Sequence, residues 1–370
     1  MFLINSSGFP MNRIISLVLR STKRPGSVDL IRAYSSFSER LHDGLTSRQL
    51  PLSFDYLHPQ PSHLLNLTLT DLFPTVGSSV KIHRSLPSCT RSSHLPAGHH
   101  LVYFPPQVTL SELLPDGTDT LHTPGSPFNR RLWAGGSVKF STASRLLLDG
   151  SRAVCVEGIR NVIVKGPPGA EKIIVKIERQ IGAVREAEAE SDVRKRIWAT
   201  GENDEAHTSI VENRDLVFMR DKTPVQLSQD KAEFSQASRM IKSPTDPEFR
   251  YRILPTKALL FRFSALTFNA HLIHLDKSYT QDVEGYRNLL VHGPLTLTLL
   301  LTALRRHLGG KDVTISEINY KNLAPVYVDE ELAICGKLKS TKDVSAWDVW
   351  IEGRDGGLAV RGTISADKAE

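Results

Sequence analysis

The run from Leu295 to Leu304 is almost wholly apolar, and its ends are sharply marked. Gly293 precedes Pro294, a residue suited to a first helical turn because its missing amide would have no partner there. Arg305, Arg306 and His307 follow near the carboxyl end, and Gly309-Gly310 then stops the helix. A helix apolar on every face has to be buried on every side, and a curved sheet wrapped around it does this. The longest apolar stretch, Leu289 to Leu304, is interrupted by His292 and Pro294 and falls short of the ~20 apolar residues that a bilayer requires. No membrane span is expected. The strands for the wrap follow in order: Val313 to Asn319, Val326 to Leu338, Ser345 to Glu352 and Leu358 to Ile364.

With 370 residues, the chain has room for a second domain upstream. Three runs rich in Val and Ile read as strands there, namely Ala153 to Lys165, Lys172 to Val184 and Ile210 to Met219. The breaker Gly166-Pro167-Pro168-Gly169 makes the first two an antiparallel pair. His99 to Phe104 reads as a short strand, stopped by Pro105-Pro106. Asp116 to Gly136 reads as a breaker-rich loop ending in Arg130-Arg131-Leu132-Trp133-Ala134-Gly135-Gly136. The charge run from Arg185 to Arg196 is expected to be a solvated insertion. The polar stretch 221–255, with four prolines and no clear strand, reads as the connector between domains 35–220 and 256–370.

The formal charge of +6 is concentrated at one end. Residues 1–34 carry Arg13, Arg20, Lys23, Arg24 and Arg32 against Asp29 alone, so the remainder is nearly neutral and a nucleic-acid partner is not expected. Met11 to Ser21 mixes apolar, basic and hydroxyl residues without an acid, in the manner of a mitochondrial transit peptide. Arg32-Ala33-Tyr34-Ser35 resembles a processing site, so the matrix is the expected compartment. Cys89, Cys155 and Cys335 are too scattered for a disulfide framework or a zinc site, and a reducing setting follows.

Phe263-Ser264-Ala265-Leu266-Thr267-Phe268-Asn269-Ala270-His271-Leu272-Ile273-His274, with Val291-His292-Gly293-Pro294-Leu295 downstream, resembles mitochondrial type 2 hydroxyacyl-thioester dehydratases and the related mesaconyl-CoA hydratases. Both belong to the MaoC-like, R-specific enoyl-CoA hydratases. Arg130 to Gly136 is similar to the signature loop of their first domain. The resemblance implies an α+β double hot dog, two antiparallel sheets each wrapped around a central helix. Its second half would be catalytic, and its first would accommodate the acyl chain. It implies no cofactor and no metal. The substrate would be an acyl thioester of acyl carrier protein or CoA, handled by a monomer or homodimer.

The residue chemistry is compatible with that reading. Removing water from a 3-hydroxyacyl thioester needs a base for the proton on C2, donors for the thioester oxygen and a hold on the departing hydroxyl. His274 is the candidate base. The helix start at His292, Gly293 and Leu295 is the candidate oxyanion site. Asn269 stands where the wider class has Asp, five residues before the catalytic His, and an amide can orient a hydroxyl but cannot protonate it, which leaves His274 to move both protons in turn or an unidentified acid to help. His271 reads as a core histidine, and whether Arg130 and Arg131 reach the second domain's cleft is left open. Hydration of mesaconyl- or itaconyl-CoA is the nearest rival activity, followed by thioester hydrolysis and by non-catalytic binding of acyl thioesters. The chain has no GxSxG nucleophile and no glycine-rich phosphate loop.

Overall fold

The computed structural model describes residues 26–73, 84–91, 93–198, 208–234, 240–309, 313–339 and 345–368. Most of the expected transit segment lies outside them. Ten strands form one antiparallel sheet in two five-stranded halves. The first half holds β1 (Ser53–Tyr56), β2 (Arg130–Phe140), β3 (Arg152–Lys165), β4 (Lys172–Ala183) and β5 (Ile210–Met219). The second holds β6 (Phe249–Ile253), β7 (Val313–Asn322), β8 (Leu332–Lys339), β9 (Ser345–Glu352) and β10 (Leu358–Lys368). The spatial order is β1-β3-β4-β5-β2-β7-β10-β9-β8-β6, so the halves meet where β2 pairs with β7. Helices α1 (Gly26–Thr46), α2 (Pro59–Leu69), α3 (Glu190–Ile197), α4 (Pro224–Glu233), α5 (Lys257–Leu266), α6 (Lys277–Asp282) and α7 (Gly293–His307) complete the fold.

The expected central helix is α7. Every residue from Leu295 to Leu304 is buried, and Leu297, Leu299, Leu300 and Leu304 pack with Ile318 of β7, Ile334 of β8, Val349 and Ile351 of β9 and Ile364 of β10 in one core. Thr296 and Thr298, two of its three buried threonines, satisfy their hydroxyls on the carbonyls of Gly293 and Pro294 at 2.7 and 2.9 Å. The core extends into the first half through Leu65 and Leu69 of α2 and Leu101. Together these elements form the double hot dog expected from the sequence.

Several local readings change. Arg130 to Gly136 begins strand β2 and is not the end of a loop. Gly135, at φ 138°, sits at a register shift in the pairing with β5, and a Cβ there would lie 2.4 Å from the carbonyl oxygen of Tyr320 on β7. Glycines that weaken the strand signal are what let β2 fit between β5 and β7. His99–Val102 is a 3₁₀ turn with all four side chains buried, so burial on both sides imitates a strand. The charge run closes in α3, whose Val193 and Ile197 are fully buried, and only its remaining faces are solvated. The connector contains α4 and also β6, which pairs with β8 at the sheet edge. Val326 and Val328 precede β8 and pack in the core without belonging to a strand.

Candidate active site

A cavity of about 1000 Å³ opens between the halves, walled by Asn269, His271, His274, Gly293 and Thr296 from one and by Arg131, Trp133, Asp119, His122, Glu157, Arg179 and Arg214 from the other. The segment carrying the histidines is held by short-range geometry. Thr256 caps α5 through its side chain. Phe268 takes a left-handed conformation (φ 52°) that ends the helix, and Asn269 Oδ1 accepts the backbone amide of His271 at 2.9 Å. With its oxygen engaged, Asn269 has its NH₂ group to offer a substrate hydroxyl.

His274 is buried at 7% exposure, and its Nδ1 lies 2.8 Å from the carbonyl oxygen of Leu290. A carbonyl only accepts, so Nδ1 carries the proton and Nε2 keeps its lone pair. Burial lowers the His274 pKa to about 4, with Arg131 contributing in the same direction against the Leu290 hydrogen bond. The imidazole is therefore a neutral base at physiological pH. This property has a kinetic consequence: if His274 takes the proton, the acid limb of kcat/KM falls near pH 4 and not near 6.5. A limb at 6.5 in a pH-rate profile would remove His274 from the role. The same shift works on stability. Its folded pKa lies below the unfolded value of about 6.5, so the buried neutral ring is fully stabilised above that pH and loses this contribution as pH falls toward 4.

His292 does not reach the cavity wall. Its ring stacks on His274 with centroids 3.7 Å apart and planes 22° from parallel, and its Nε2 is 2.8 Å from the Ser264 hydroxyl of α5. Burial, with His274 and His271, holds its pKa well below the ordinary histidine value. The imidazole of His292 thus backs His274, and only the backbone at this helix start, the part expected to matter, is left to face the cavity. The side chain of Leu295 is fully buried in the core, which leaves its first-turn amide as the group relevant to the cavity.

Gly293 does stand on the cavity wall. A Cβ added to it would lie 2.7 Å from Cβ of Trp133 and 3.1 Å from Nδ2 of Asn322, so the first half presses directly on this turn. Asn322 donates to the Trp133 carbonyl at 2.9 Å, and the Trp133 indole donates to the Tyr320 hydroxyl at 2.7 Å. Gly293→Ala is expected to lower kcat/KM roughly 10²- to 10³-fold by displacing the first-turn amide. Steady-state hydration rates check this, and an unchanged value would separate the amide from the chemistry.

Sequence reading missed the first-half wall. Arg131 pairs with Asp119 at 3.1 Å, and His122 sits between Asp119 and Glu157. Glu157 reaches Arg179 at 2.9 Å, Arg179 reaches Glu212 at 3.1 Å, and Glu212 also takes Arg214 at 2.8 Å. Burial alone would raise the Glu157 pKa, but His122, Arg179 and Arg214 bring it down to about 2. Arg131 thus reaches the cleft. Arg130 does not: it is buried against Glu284 at 2.8 Å and ties β2 to the loop after α6. These charges sit on four separate strands and a loop, and no local pattern marks them. No cluster of metal-ligand type occurs among the described residues.

An antiparallel double hot dog, with the buried, neutral His274 and the start of α7 on the wall between its halves, is the architecture of the MaoC-like hydratases and dehydratases. The solved structure of a MaoC-like dehydratase from Phytophthora capsici shares the fold, with a TM-score of 0.54 and 12% identity over 89% of this chain and 99% of that one. Residues 98–328 match the family model for hydroxyacyl-thioester dehydratase type 2, and the chain belongs to that family. It is 30% identical to the mesaconyl-C(4)-CoA hydratase of Chloroflexus aurantiacus, over 74% of this chain and 85% of that protein. It is 26% identical to the mitochondrial hydroxyacyl-thioester dehydratase type 2 of Schizosaccharomyces pombe, over 76% and 88% respectively. The chain is therefore a hydro-lyase.

Proposed function

We propose that this chain dehydrates (3R)-3-hydroxyacyl thioesters to trans-2-enoyl thioesters, reversibly, on acyl carrier protein in mitochondrial fatty acid synthesis. Nε2 of His274 takes the C2 proton, the amides at Gly293 and Leu295 receive the thioester oxygen, and Asn269 holds the C3 hydroxyl through its NH₂ group. The observation that carries this reading is the Nδ1–Leu290 hydrogen bond, which fixes the tautomer of a base on the same wall as Gly293 and Asn269. The mitochondrial names of the relatives and the basic amino-terminal segment favour a matrix location.

A second reading has its own support. Arg131, Arg179 and Arg214 line the first-half wall, and a carboxylate-bearing acyl group such as mesaconyl would find cations there. Ultraviolet loss of the conjugated enoyl thioester distinguishes the two, with crotonyl-CoA, a medium-chain trans-2-enoyl-CoA and mesaconyl-CoA compared side by side. Fast hydration of the linear substrates supports the dehydratase. Turnover confined to mesaconyl-CoA moves the chain to dicarboxylate chemistry, and release of free thiol without hydration makes it a thioesterase.

A further inference from the structure

Dehydration needs a proton for the departing hydroxide; Asn269 has none to give, and Nε2 of His274 carries one only after it has taken the C2 proton. The cavity wall contains a second histidine. His271 is buried at 5% exposure, lines the cavity and meets His274 edge-on, with ring centroids 5.6 Å apart. Its Nε2 has no hydrogen-bond partner, and 3.5 Å away lies Asp116 Oδ2, which is buried and also without one. Two buried polar atoms facing each other without a partner are uncommon in native proteins. Open spacing of this kind is usual for catalytic pairs before substrate arrives.

Asp116 belongs to the first half, and its position is fixed from both sides. Its Oδ1 accepts the amide and hydroxyl of Thr118 at 2.9 and 2.7 Å, which leaves Oδ2 for His271. Its carbonyl oxygen accepts the amide of Leu272 at 2.8 Å, and a Cβ on the neighbouring Gly117 would meet the Ala270 carbonyl oxygen at 2.1 Å. The loop from the first half is therefore locked onto the turn that carries the histidines.

We infer that His271, oriented by Asp116 from the other half of the protein, is the acid that protonates the departing hydroxyl; this rests on the dehydratase reading above. The pair enters the step with one proton on Nδ1 of His271 and a second between Nε2 and Oδ2. His274 removes the C2 proton, the C2–H electron pair becomes the C2=C3 bond, and the C3–O bond breaks with its electrons on oxygen. Nδ1 gives its proton to that oxygen, forming water, while the shared proton settles on Nε2 and leaves Asp116 as carboxylate. The proton now on His274 returns to the pair through solvent. The charged and titratable groups facing His271 are Asp116, His274 and Arg131. Burial first, then His274 and Arg131, keep its pKa well below the ordinary value. His271 is a catalytic residue in this scheme, and Asp116 is a positioning residue.

A leaving group that needs no proton separates this role from a structural one. The full chain and its His271→Gln, Asp116→Asn and His274→Ala variants are assayed on (3R)-3-hydroxybutanoyl-CoA and (3R)-3-chlorobutanoyl-CoA, following formation of the same crotonyl product. His271→Gln and Asp116→Asn are expected to lose about 10²-fold or more on the hydroxy substrate, and to stay within about threefold of wild type on the chloro substrate. His274→Ala is expected to lose both activities. Equal losses on both substrates in the first two variants, or no loss on either, would overturn the assignment. Wild-type inactivity on both substrates would instead refute the dehydratase reading, and this inference with it.

Discussion

His274→Ala is expected to lower kcat/KM for enoyl-thioester hydration by about 10³-fold, within the range that a positioned general base contributes. The substitution removes the one nitrogen whose tautomer is fixed by Leu290, and it also exposes the face of His292 that the stack covers. His274→Gln is the informative companion. Its amide fills much of the ring's volume, but it offers no basic nitrogen. Loss of turnover in both variants, with unfolding midpoints for the Gln form close to wild type, separates chemistry from packing. A Gln variant retaining a tenth or more of wild-type activity would show that the base lies elsewhere.

Arg179→Met is expected to cost about 3–5 kcal/mol of stability, the largest single effect on folding in the cavity wall. Arg179 is 4% exposed and stands between Glu157 and Glu212, the latter completely buried. Removing the cation leaves two buried carboxylates that lose one of the positive groups holding their pKa values low, beside His122 at Glu157 and Arg214 and His100 at Glu212. Adding Glu157→Gln and Glu212→Gln to the Met variant is expected to recover part of the loss, since the penalty comes from uncompensated charge and not from the missing contact alone. Urea denaturation of the single and triple variants measures both. A single-variant loss under 1 kcal/mol would mean that Arg214 and His122 suffice to hold the carboxylates.

The charged wall has a bearing on the division of labour between the halves. The first half reaches the proposed site at three points: Trp133 against Gly293, Arg131 acting on the His274 pKa, and Asp116 against His271. It is more than a sleeve for an acyl chain. The Arg130–Glu284 pair and the β2–β7 ladder hold the two halves in one register, so these contacts are built into the fold.

The sequence by itself determined the elements whose causes are local. Pro294 and the apolar run to Leu304 define α7, the Val and Ile runs define β3, β4 and β5, and the spacing of Asn269 to His274 survives in space because it lies within one short turn. The tertiary structure decided whatever depends on distant partners. Gly135 and Gly136 look like a loop until β5 and β7 are placed on either side, and His99–Val102 looks like a strand until all four side chains prove buried. Leu295 and His292 turn away from the cavity because a helix start exposes its amides on one side and packs its side chains on the other. Asp116, Arg131 and Glu157 enter the site only because a continuous sheet brings the two halves face to face, and residues so far apart in the chain leave no periodic trace of that meeting.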